Sequence, residues 1–361
     1  MENTNIIENR LARFRAKLAE KGMDAALITK RESYIYLSGF TGTSAYLVIT
    51  RDQAVLVTDF RYRQQASEQA PMYKIVQYQG SLLAELNAVI KDMNVHNVGF
   101  EDRHMTYSYY NECKNNLEIK ELVPLGDMVE SLRMVKDACE IESIKKAVKI
   151  ADDAFTHILG FIKPGRTEME VAAELEYFMK TKGASGASFE TIVASGTRAS
   201  MPHGVASGKK LEMGDVITLD FGALYEQYCS DMTRTVFLGD PGAKMKEIYG
   251  IVLEAQLEAE KGAKKGMTGK EIDSIARSII SDRGFGNQFG HGLGHGVGLE
   301  IHEEPRFSPS GKFVMENNMV VTVEPGIYIE GLGGVRIEDI IVISDDKPQI
   351  LTGSTKEIII L

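Results

Sequence analysis

Carboxylates occur in two pairs in the second half of the sequence, within segments whose apolar and β-branched residues predict buried strands. Asp220 lies in VITLDFG, and Asp231 follows in SDMTRTVFL. Glu324 lies in VVTVEPG, and Glu338 follows in GVRIEDIIVI. Two such strands joined as a hairpin would place the two members of each pair side by side. A buried carboxylate is costly unless its charge is compensated, so these positions are candidates for chemistry.

Four carboxylates on neighbouring buried strands would repel one another, and divalent cations are the natural compensation. Two cations of charge +2 would balance the four negative charges. Taken singly, a carboxylate at a strand end is more often a cap or turn residue, and Glu338 could face water. The matching positions of the two pairs favour the metal interpretation.

Histidines accompany the carboxylates in the same half of the chain. A glycine-rich stretch, GHGLGHGVG, carries His291 and His295, and His302 follows closely, while His203 lies upstream. Glycines let the backbone pass close to a site, and imidazole is a common metal ligand. A flexible loop rich in glycine and histidine is the ordinary alternative for this stretch.

An internal repeat constrains the elements that must position these residues. KPGRT followed by Glu170 matches KKGMT followed by Glu271, and both contain the T-x-x-E pattern of a capped helix start. VITLDFG likewise matches VVTVEPG, in the same order. The repeat predicts a domain of two related α/β halves about a pseudo-twofold axis, which would bring Asp220 and Glu324 together.

The first third of the chain predicts a separate α/β domain. Leu11, Phe14 and Leu18 recur at helical spacing. Apolar runs predict strands at 25–29, 46–50, 54–58, 74–78 and 97–101, and a helix at 81–93. LRMVKDACE then leads into a long helix with apolar positions from Ile141 to Ile162. We place the domains at 1–131 and 132–361, since 361 residues exceed one average core.

Composition excludes several classes of protein. A net charge of −10 opposes binding to nucleic acid. Neither a signal peptide in the first ten residues nor an apolar run of about 18 residues marks export or a membrane. Cys113, Cys139 and Cys229 are widely spaced and odd in number, which argues against a disulfide framework. We expect a cytoplasmic protein.

From Glu140 to Leu361 the sequence resembles the pita-bread metallopeptidases, the superfamily of aminopeptidase P, prolidase and methionine aminopeptidase. The matching segments are LDFGALYEQYCSDMTRT, HGLGHGVGLEIHEEP, TVEPGIY and GVRIED. Residues 1 to about 130 are similar to the N-terminal domain of the Xaa-Pro peptidase and creatinase branch. The implied fold is an α/β creatinase-like N-terminal domain followed by an α+β pita-bread catalytic domain.

The resemblance implies a site with two divalent metal ions. The implied ligands are Asp220, Asp231, His295, Glu324 and Glu338. Asp220 would bind one metal, His295 and Glu324 the other, and Asp231 and Glu338 would bridge them. Manganese is the expected metal, with cobalt or zinc as alternatives for this ligand set.

Further roles follow from the same resemblance. His203 and His302 would bind substrate and stabilise the transition state, and His291 would be another active-site histidine. Arg336 would lie behind the ligands and contribute to the substrate site. Glu324 is the candidate that takes a proton from the water shared by the metals and passes it to the leaving nitrogen.

The implied function is hydrolysis of Xaa-Pro bonds at the N-terminus of short, proline-containing peptides by a metal-bridging hydroxide. The resemblance also implies a homodimer in which the segment Thr58–Tyr62 lies near a catalytic pocket. Two alternatives remain: a non-catalytic binding protein of the same fold, and a metal-free creatinase-like hydrolase with His203 as base. The first would have lost ligands, and the second leaves four buried carboxylates unexplained.

Overall fold

The chain divides into two compact units, with the division between Arg133 and Met134. The computed structural model describes residues 2–361. The ten-residue segment in which we expect no signal peptide includes residue 1, which lies outside the described residues. Among the residues described, no helix is long and apolar enough to cross a membrane.

The first unit is a six-stranded mixed sheet with helices. Its helices are α1 (Glu2–Glu20), α2 (Arg31–Ser38), α3 (Arg63–Gln69), α4 (Leu82–Asp92), α5 (Tyr107–Asn116) and α6 (Met128–Arg133). Its strands are β1 (Ala25–Ile28), β2 (Tyr46–Thr50), β3 (Ala54–Thr58), β4 (Lys74–Gln77), β5 (Asn97–Phe100) and β6 (Glu121–Pro124). The sheet order is β4-β3-β2-β1-β5-β6, with β2 antiparallel to both neighbours and the other pairs parallel.

The five strands predicted for this unit are present, whereas β6 and four of its helices were not predicted. The α5 sequence, YSYYNECKNN, shows why: it is largely polar, and only Cys113 is buried. Such a helix lacks the apolar stripe that sequence periodicity detects. Thr106 fixes its start by accepting a hydrogen bond from the Tyr109 amide.

The second unit contains the repeat. Its helices are α7 (Ala138–Ile158), α8 (Glu168–Thr181), α9 (Gly242–Gly262) and α10 (Gly269–Asp282). Its strands are β7 (Gly186–Ala187), β8 (Ile192–Ser195), β9 (Val216–Phe221), β10 (Ala223–Tyr225), β11 (Tyr228–Cys229), β12 (Met232–Phe237), β13 (Gly294–Gly296), β14 (Glu303–Phe307), β15 (Val320–Val323), β16 (Gly326–Ile329), β17 (Gly333–Arg336), β18 (Asp339–Val342) and β19 (Gln349–Ile350).

The two halves of this unit repeat one another closely, which confirms the predicted α+β repeat. The helices α7 and α8 have 21 and 14 residues, and so do α9 and α10. Both predicted capping boxes are formed, by Thr167 with Glu170 and by Thr268 with Glu271. The strand order β12-β9-β8 in one half corresponds to β18-β15-β13 in the other.

Strand register sets the positions of the carboxylates. In the pair of β9 with β12, Asp220 lies opposite Thr233, so Asp231 is its diagonal neighbour on the same face rather than its direct partner. In the pair of β15 with β18, Val323 lies opposite Asp339. Glu324 and Glu338 therefore extend that pair by one residue and are direct neighbours, although β16 and β17 lie between their strands, which do not form the simple hairpin that was predicted.

The outer edge of β12 is covered along its length. The Glu338 amide donates to the Thr233 carbonyl, and the Thr235 hydroxyl donates to the Arg336 carbonyl. Phe237 donates to Ile359 and accepts from Leu361, so the C-terminal tail continues this edge. These bonds tie β12 of the first half to residues of the second half.

Candidate metal centre

A cavity of about 970 Å³ opens in the second unit. All nine site residues predicted from the sequence line it. They are His203, Asp220, Asp231, His291, His295, His302, Glu324, Arg336 and Glu338. The fold thus brings together residues that span most of the second unit in sequence.

His295 lies on β13 and directs one ring nitrogen at the carboxylates. Its Nδ1 is 3.1 Å from the Gly296 carbonyl and therefore carries the hydrogen. Its Nε2 lies 3.3 Å from Glu324 Oε1 and 3.6 Å from Asp231 Oδ2. Burial lowers the pKa of His295 to about 3, so the ring is neutral and Nε2 has a free lone pair. This is the state that binds a metal.

The glycines around His295 allow close packing and do not form a flexible loop. A Cβ added to Gly294 would overlap the Thr322 carbonyl, and one added to Gly296 would overlap Glu304. The Thr322 hydroxyl accepts a hydrogen bond from the His295 amide at 3.0 Å and donates to Glu324 Oε1 at 3.3 Å. One threonine therefore orients two of the predicted ligands.

Asp231, His295 and Glu338 each offer a ligand atom, and these atoms lie within 4.8 Å of one another. All three residues are buried. Glu338 is oriented by the Thr233 hydroxyl, which donates to its Oε2 at 2.7 Å. This group is compact enough for one divalent cation to contact all three side chains.

Asp220 completes the carboxylate cluster from β9. Its Oδ2 accepts a hydrogen bond of 2.6 Å from Arg336 Nη2, whereas its buried Oδ1 has no hydrogen-bond partner. A buried carboxylate oxygen without a partner is costly, and a cation would satisfy it. The donor set of four carboxylates and one imidazole therefore fits divalent metal ions, and Asp220 Oδ1 is free to bind one.

Burial and mutual repulsion raise the pKa of three of these carboxylates, those of Asp231, Glu324 and Glu338. Burial and the neighbouring carboxylates Glu338, Asp220 and Glu324 hold the pKa of Asp231 well above its usual range. Burial, together with Glu324 and Asp220, does the same for Glu338. Burial raises the pKa of Glu324 to about 8, although the Arg336 cation opposes this. The cluster therefore carries less charge without metal than its composition suggests.

A hydrogen-bonded chain runs behind the ligands from Arg336 through Tyr328 to His291. Arg336 Nη1 donates to the Tyr328 hydroxyl at 2.8 Å, and that hydroxyl is 3.0 Å from His291 Nε2. His291 Nδ1 lies 2.8 Å from the Gly292 carbonyl, so Nε2 is the acceptor and Tyr328 donates to it. Burial lowers the pKa of His291 to about 4, consistent with a neutral ring.

Arg336 donates hydrogen bonds to four protein groups: Asp220, Tyr328, Thr233 Oγ1 through Nε at 3.0 Å, and the Pro202 carbonyl through Nη1 at 3.2 Å. Both Arg336 and His291 line the cavity. Their polar atoms nevertheless point into the protein framework, which suits residues that hold Asp220 and Tyr328 in place.

His203 and His302 are exposed and lie on the open side of the cavity. The His302 ring meets the His295 ring edge-on, with 4.4 Å between their centroids. Partial burial and the nearby Arg306 cation hold the pKa of His302 below its usual value. Both side chains can therefore reach a molecule bound in the cavity.

Three functional candidates were not predicted from the sequence: Thr233, Arg306 and Tyr328. Arg306 and Tyr328 line the cavity, and Thr233 lies behind Glu338. Tyr328 and Thr233 do lie within the matching segments TVEPGIY and SDMTRT, close to a ligand in each case. Arg306 had no such signal, and only its pairing opposite His295 in the sheet brings it to the site.

A repeated α+β fold that gathers four carboxylates and an imidazole around one cavity defines a metallopeptidase of the pita-bread type. Metallopeptidase family M24 matches residues 142–345, and the creatinase/prolidase N-terminal domain matches residues 10–135. The chain belongs to metallopeptidase family M24. The family implies divalent metal ions, as expected from the ligand set.

Solved structures and curated relatives agree over nearly the whole chain. The Xaa-Pro dipeptidase from Bacillus anthracis is 48% identical, with a TM-score of 0.97 over 98% of this chain and 100% of that one. The X-Pro aminopeptidase from Thermotoga maritima is 41% identical, with a TM-score of 0.91 over 97% and 99%. The Xaa-Pro dipeptidase of Pyrococcus furiosus is 42% identical over 98% of this chain and 100% of its own.

Metal binding is expected to release protons near neutral pH, because metal replaces the proton on carboxylates of raised pKa. Since the folded pKa of Glu324 is about 8, above its unfolded value, metal-free protein loses stability as pH rises towards and through 8. Bound metal should remove this loss. Calorimetric titration with Mn²⁺ in buffers of different ionisation enthalpy counts the protons released.

The matched variant is Glu324→Gln, which cannot release a proton from this position. It should release about one proton fewer than wild type when metal binds at pH 7. At pH 9 the difference in proton release should be smaller, because Glu324 of the wild type is then mostly ionised before metal binds. Equal proton release by the two proteins at both pH values would contradict the raised pKa of Glu324.

Proposed function

We propose that this protein is a metal-dependent exopeptidase that hydrolyses Xaa-Pro bonds at the N-terminus of short peptides. The observation that carries the proposal is the buried group of Asp231, His295 and Glu338 within 4.8 Å, in a cavity that Asp220 and Glu324 also line. The similar proteins are Xaa-Pro dipeptidases and an X-Pro aminopeptidase, which supports the substrate class. A metal-free creatinase-like hydrolase is disfavoured because every predicted ligand is present.

In this proposal Asp220 would hold one divalent ion, His295 and Glu324 would hold the other, and Asp231 and Glu338 would be shared between the two. Carboxylates with one imidazole suit hard or borderline ions, and we propose manganese, with cobalt or zinc able to occupy the same donors. When bound, the ions supply Lewis-acid polarisation of the scissile carbonyl and lower the pKa of water. Proton transfer and substrate binding would be carried out by side chains of the protein.

Glu324 is the proposed proton carrier. Its carboxylate would take the proton that the attacking water loses, as general base catalysis requires. The proline nitrogen, like any peptide nitrogen, must gain a proton as the scissile C–N bond breaks. Glu324, whose Oε1 is 3.3 Å from His295 Nε2, would deliver the proton that it took from the water.

His203, His302 and Arg306 are the proposed substrate contacts. The two exposed histidines would donate hydrogen bonds to the peptide and to the oxyanion that develops in the transition state. Arg306 brings a permanent positive charge to a cavity otherwise dominated by carboxylates. It suits the terminal carboxylate of a dipeptide, which a longer peptide would place further away.

Histidine roles can be separated by substitution. His295→Ala should lose bound metal, because its Nε2 faces the carboxylates, whereas His203→Ala should retain metal. His203→Ala should lower turnover by about 10²–10³-fold, the effect of removing one oxyanion donor. Elemental analysis and steady-state kinetics measure the two quantities. Equal loss of metal in both variants would show that His203 is also a ligand.

The substrate class is tested by comparing Gly-Pro, its C-terminal amide and Gly-Pro-Pro with metal-loaded protein. A dipeptidase should prefer the free dipeptide, and Arg306→Ala should raise KM for Gly-Pro much more than for the amide. Gly-Ala serves as the control for proline. Faster cleavage of Gly-Pro-Pro, with no selective effect of Arg306→Ala, would identify an aminopeptidase instead, and equal cleavage of Gly-Ala would refute the requirement for proline.

We also propose a cytoplasmic homodimer, with neither nucleic acid nor membrane as a partner. Its three cysteines are widely spaced and odd in number, which suits a reducing compartment. In the first unit the side chain of Phe60 is 75% exposed, beside an Arg61 guanidinium that Asp59 holds through two hydrogen bonds. An exposed aromatic residue on an ordered turn suits an interface with a second copy.

Light scattering should therefore report about twice the 39.9 kDa chain mass. Arg61→Ala should change KM or the preference for peptide length while leaving metal content unchanged, because the segment Thr58–Tyr62 would lie near a catalytic pocket of the dimer. Lys74→Ala, at an exposed site in the same unit, is the control. A fully active monomer would contradict this assembly.

A further inference from the structure

The loop that carries His203 has little regular structure of its own. This His203 loop, residues 196–207, follows β8 and contains a 3₁₀ turn at Gly196–Ser200. His203 itself is exposed. An exposed catalytic side chain on such a loop needs contacts from elsewhere to hold it within the range that chemistry demands.

A buried carboxylate outside the metal centre supplies those contacts. Glu168, at the start of α8, has a side chain that is 0% exposed. Its Oε1 accepts hydrogen bonds of 2.8 Å from both the amide and the hydroxyl of Ser195. Its Oε2 accepts from the amide and the hydroxyl of Ser207, at 3.0 and 2.6 Å. One carboxylate thus ties together the residue before the loop and the last residue of the loop.

Arg198 adds a connection within the loop. Its Nη1 donates to Glu168 Oε2, and its Nη2 donates to the Val205 carbonyl at 2.9 Å. Val205 is two residues from His203 and also lines the cavity. Five hydrogen bonds therefore converge on Glu168, and all five come from the loop or its immediate flank.

In the second half of the repeat, a glutamate at a different position contacts the segment that carries His302. The position equivalent to Glu168 is Gly269, where an added Cβ would overlap the Arg306 carbonyl, so a larger side chain has no room. Instead Glu303, directly after His302, is buried. Its Oε2 is 3.2 Å from Lys136 Nζ, and its Oε1 accepts from the Glu300 amide at 3.0 Å.

The turn before His302 is packed against the same carboxylate. A Cβ added to Gly298 would come within 2.8 Å of both Glu303 oxygens, so the backbone there lies directly against them. The Lys136 side chain is 1% exposed. Breaking a buried ion pair of this kind leaves an uncompensated charge, so the contact constrains the turn strongly.

We propose that Glu168 and Glu303 are positioning residues, each of which holds one of the two substrate histidines, His203 and His302 respectively. The inference rests on the proposed roles of these histidines. Neither glutamate lines the cavity or belongs to the ligand set, so each acts through the backbone that it fixes. Each half of the repeat thus uses a buried glutamate to hold its histidine, but the two glutamates are at positions that are not equivalent in the repeat.

Double-mutant cycles test the proposal, since residues that act through one another are non-additive. Glu168→Gln should lower kcat/KM by about 10–100-fold, because displacement of about 1 Å can cost this much, and metal content should be unchanged. In the His203→Ala background, the same substitution should have almost no further effect. Glu303→Gln should behave in the same way with His302→Ala.

The crossed pairs are matched controls. Glu168→Gln with His302→Ala, and Glu303→Gln with His203→Ala, should multiply their separate effects. If Glu168→Gln multiplies with His203→Ala as well, the positioning role is refuted while the role of His203 stands. If His203→Ala alone leaves kcat/KM unchanged, both the positioning role and the proposed substrate role fail.

Ser207→Ala is a milder variant in case Glu168→Gln fails to fold, because it removes one donor and leaves the buried carboxylate in place. Its loss of kcat/KM should be smaller than that of Glu168→Gln and should also vanish in the His203→Ala background. A loss that persists in that background would refute the proposal.

Discussion

The repulsion among four carboxylates gathered in one cavity is the constraint on which the second unit depends. Strand pairing fixes their backbones, so they cannot move apart, and partial or full burial limits the screening of their charges by water. The protein compensates with one buried arginine, Arg336, and with hydroxyl donors from Thr233 and Thr322. The charge that remains is suited to divalent metal ions, which the family implies, so the fold and the metal requirement have a common origin.

The two halves of the repeat contribute different acidic residues to the cavity. The first half contributes the shorter acids, Asp220 and Asp231, as diagonal neighbours, while the second contributes the longer acids, Glu324 and Glu338, as direct neighbours. His295 on β13 has no histidine counterpart on β8. Different side-chain lengths allow differently placed backbones to reach a common centre. A duplicated framework therefore supports a centre whose two sides are chemically distinct.

The sequence indicated the four clustered carboxylates and the repeat because both leave local signals: carboxylates in apolar strands, and T-x-x-E at helix starts. It missed Arg306, and it did not assign the hydroxyl of Thr233 to Glu338, a contact between residues 105 positions apart. It also missed α5, which lacks apolar periodicity. Contacts between residues far apart in sequence, and helices without an apolar stripe, leave no local pattern in the sequence. A charged residue within an apolar strand does leave such a pattern.

The cover on β12 by the C-terminal tail has a consequence for the solubility of the chain. Without Ile359 and Leu361, the backbone groups of Phe237 would face outward at the end of a six-residue strand that is buried throughout. An open strand edge of this kind templates intermolecular pairing and aggregation. The tail thus protects the edge of β12. A protein that lacks Ile359 and Leu361 would be prone to self-association through β12, even with its metal centre intact.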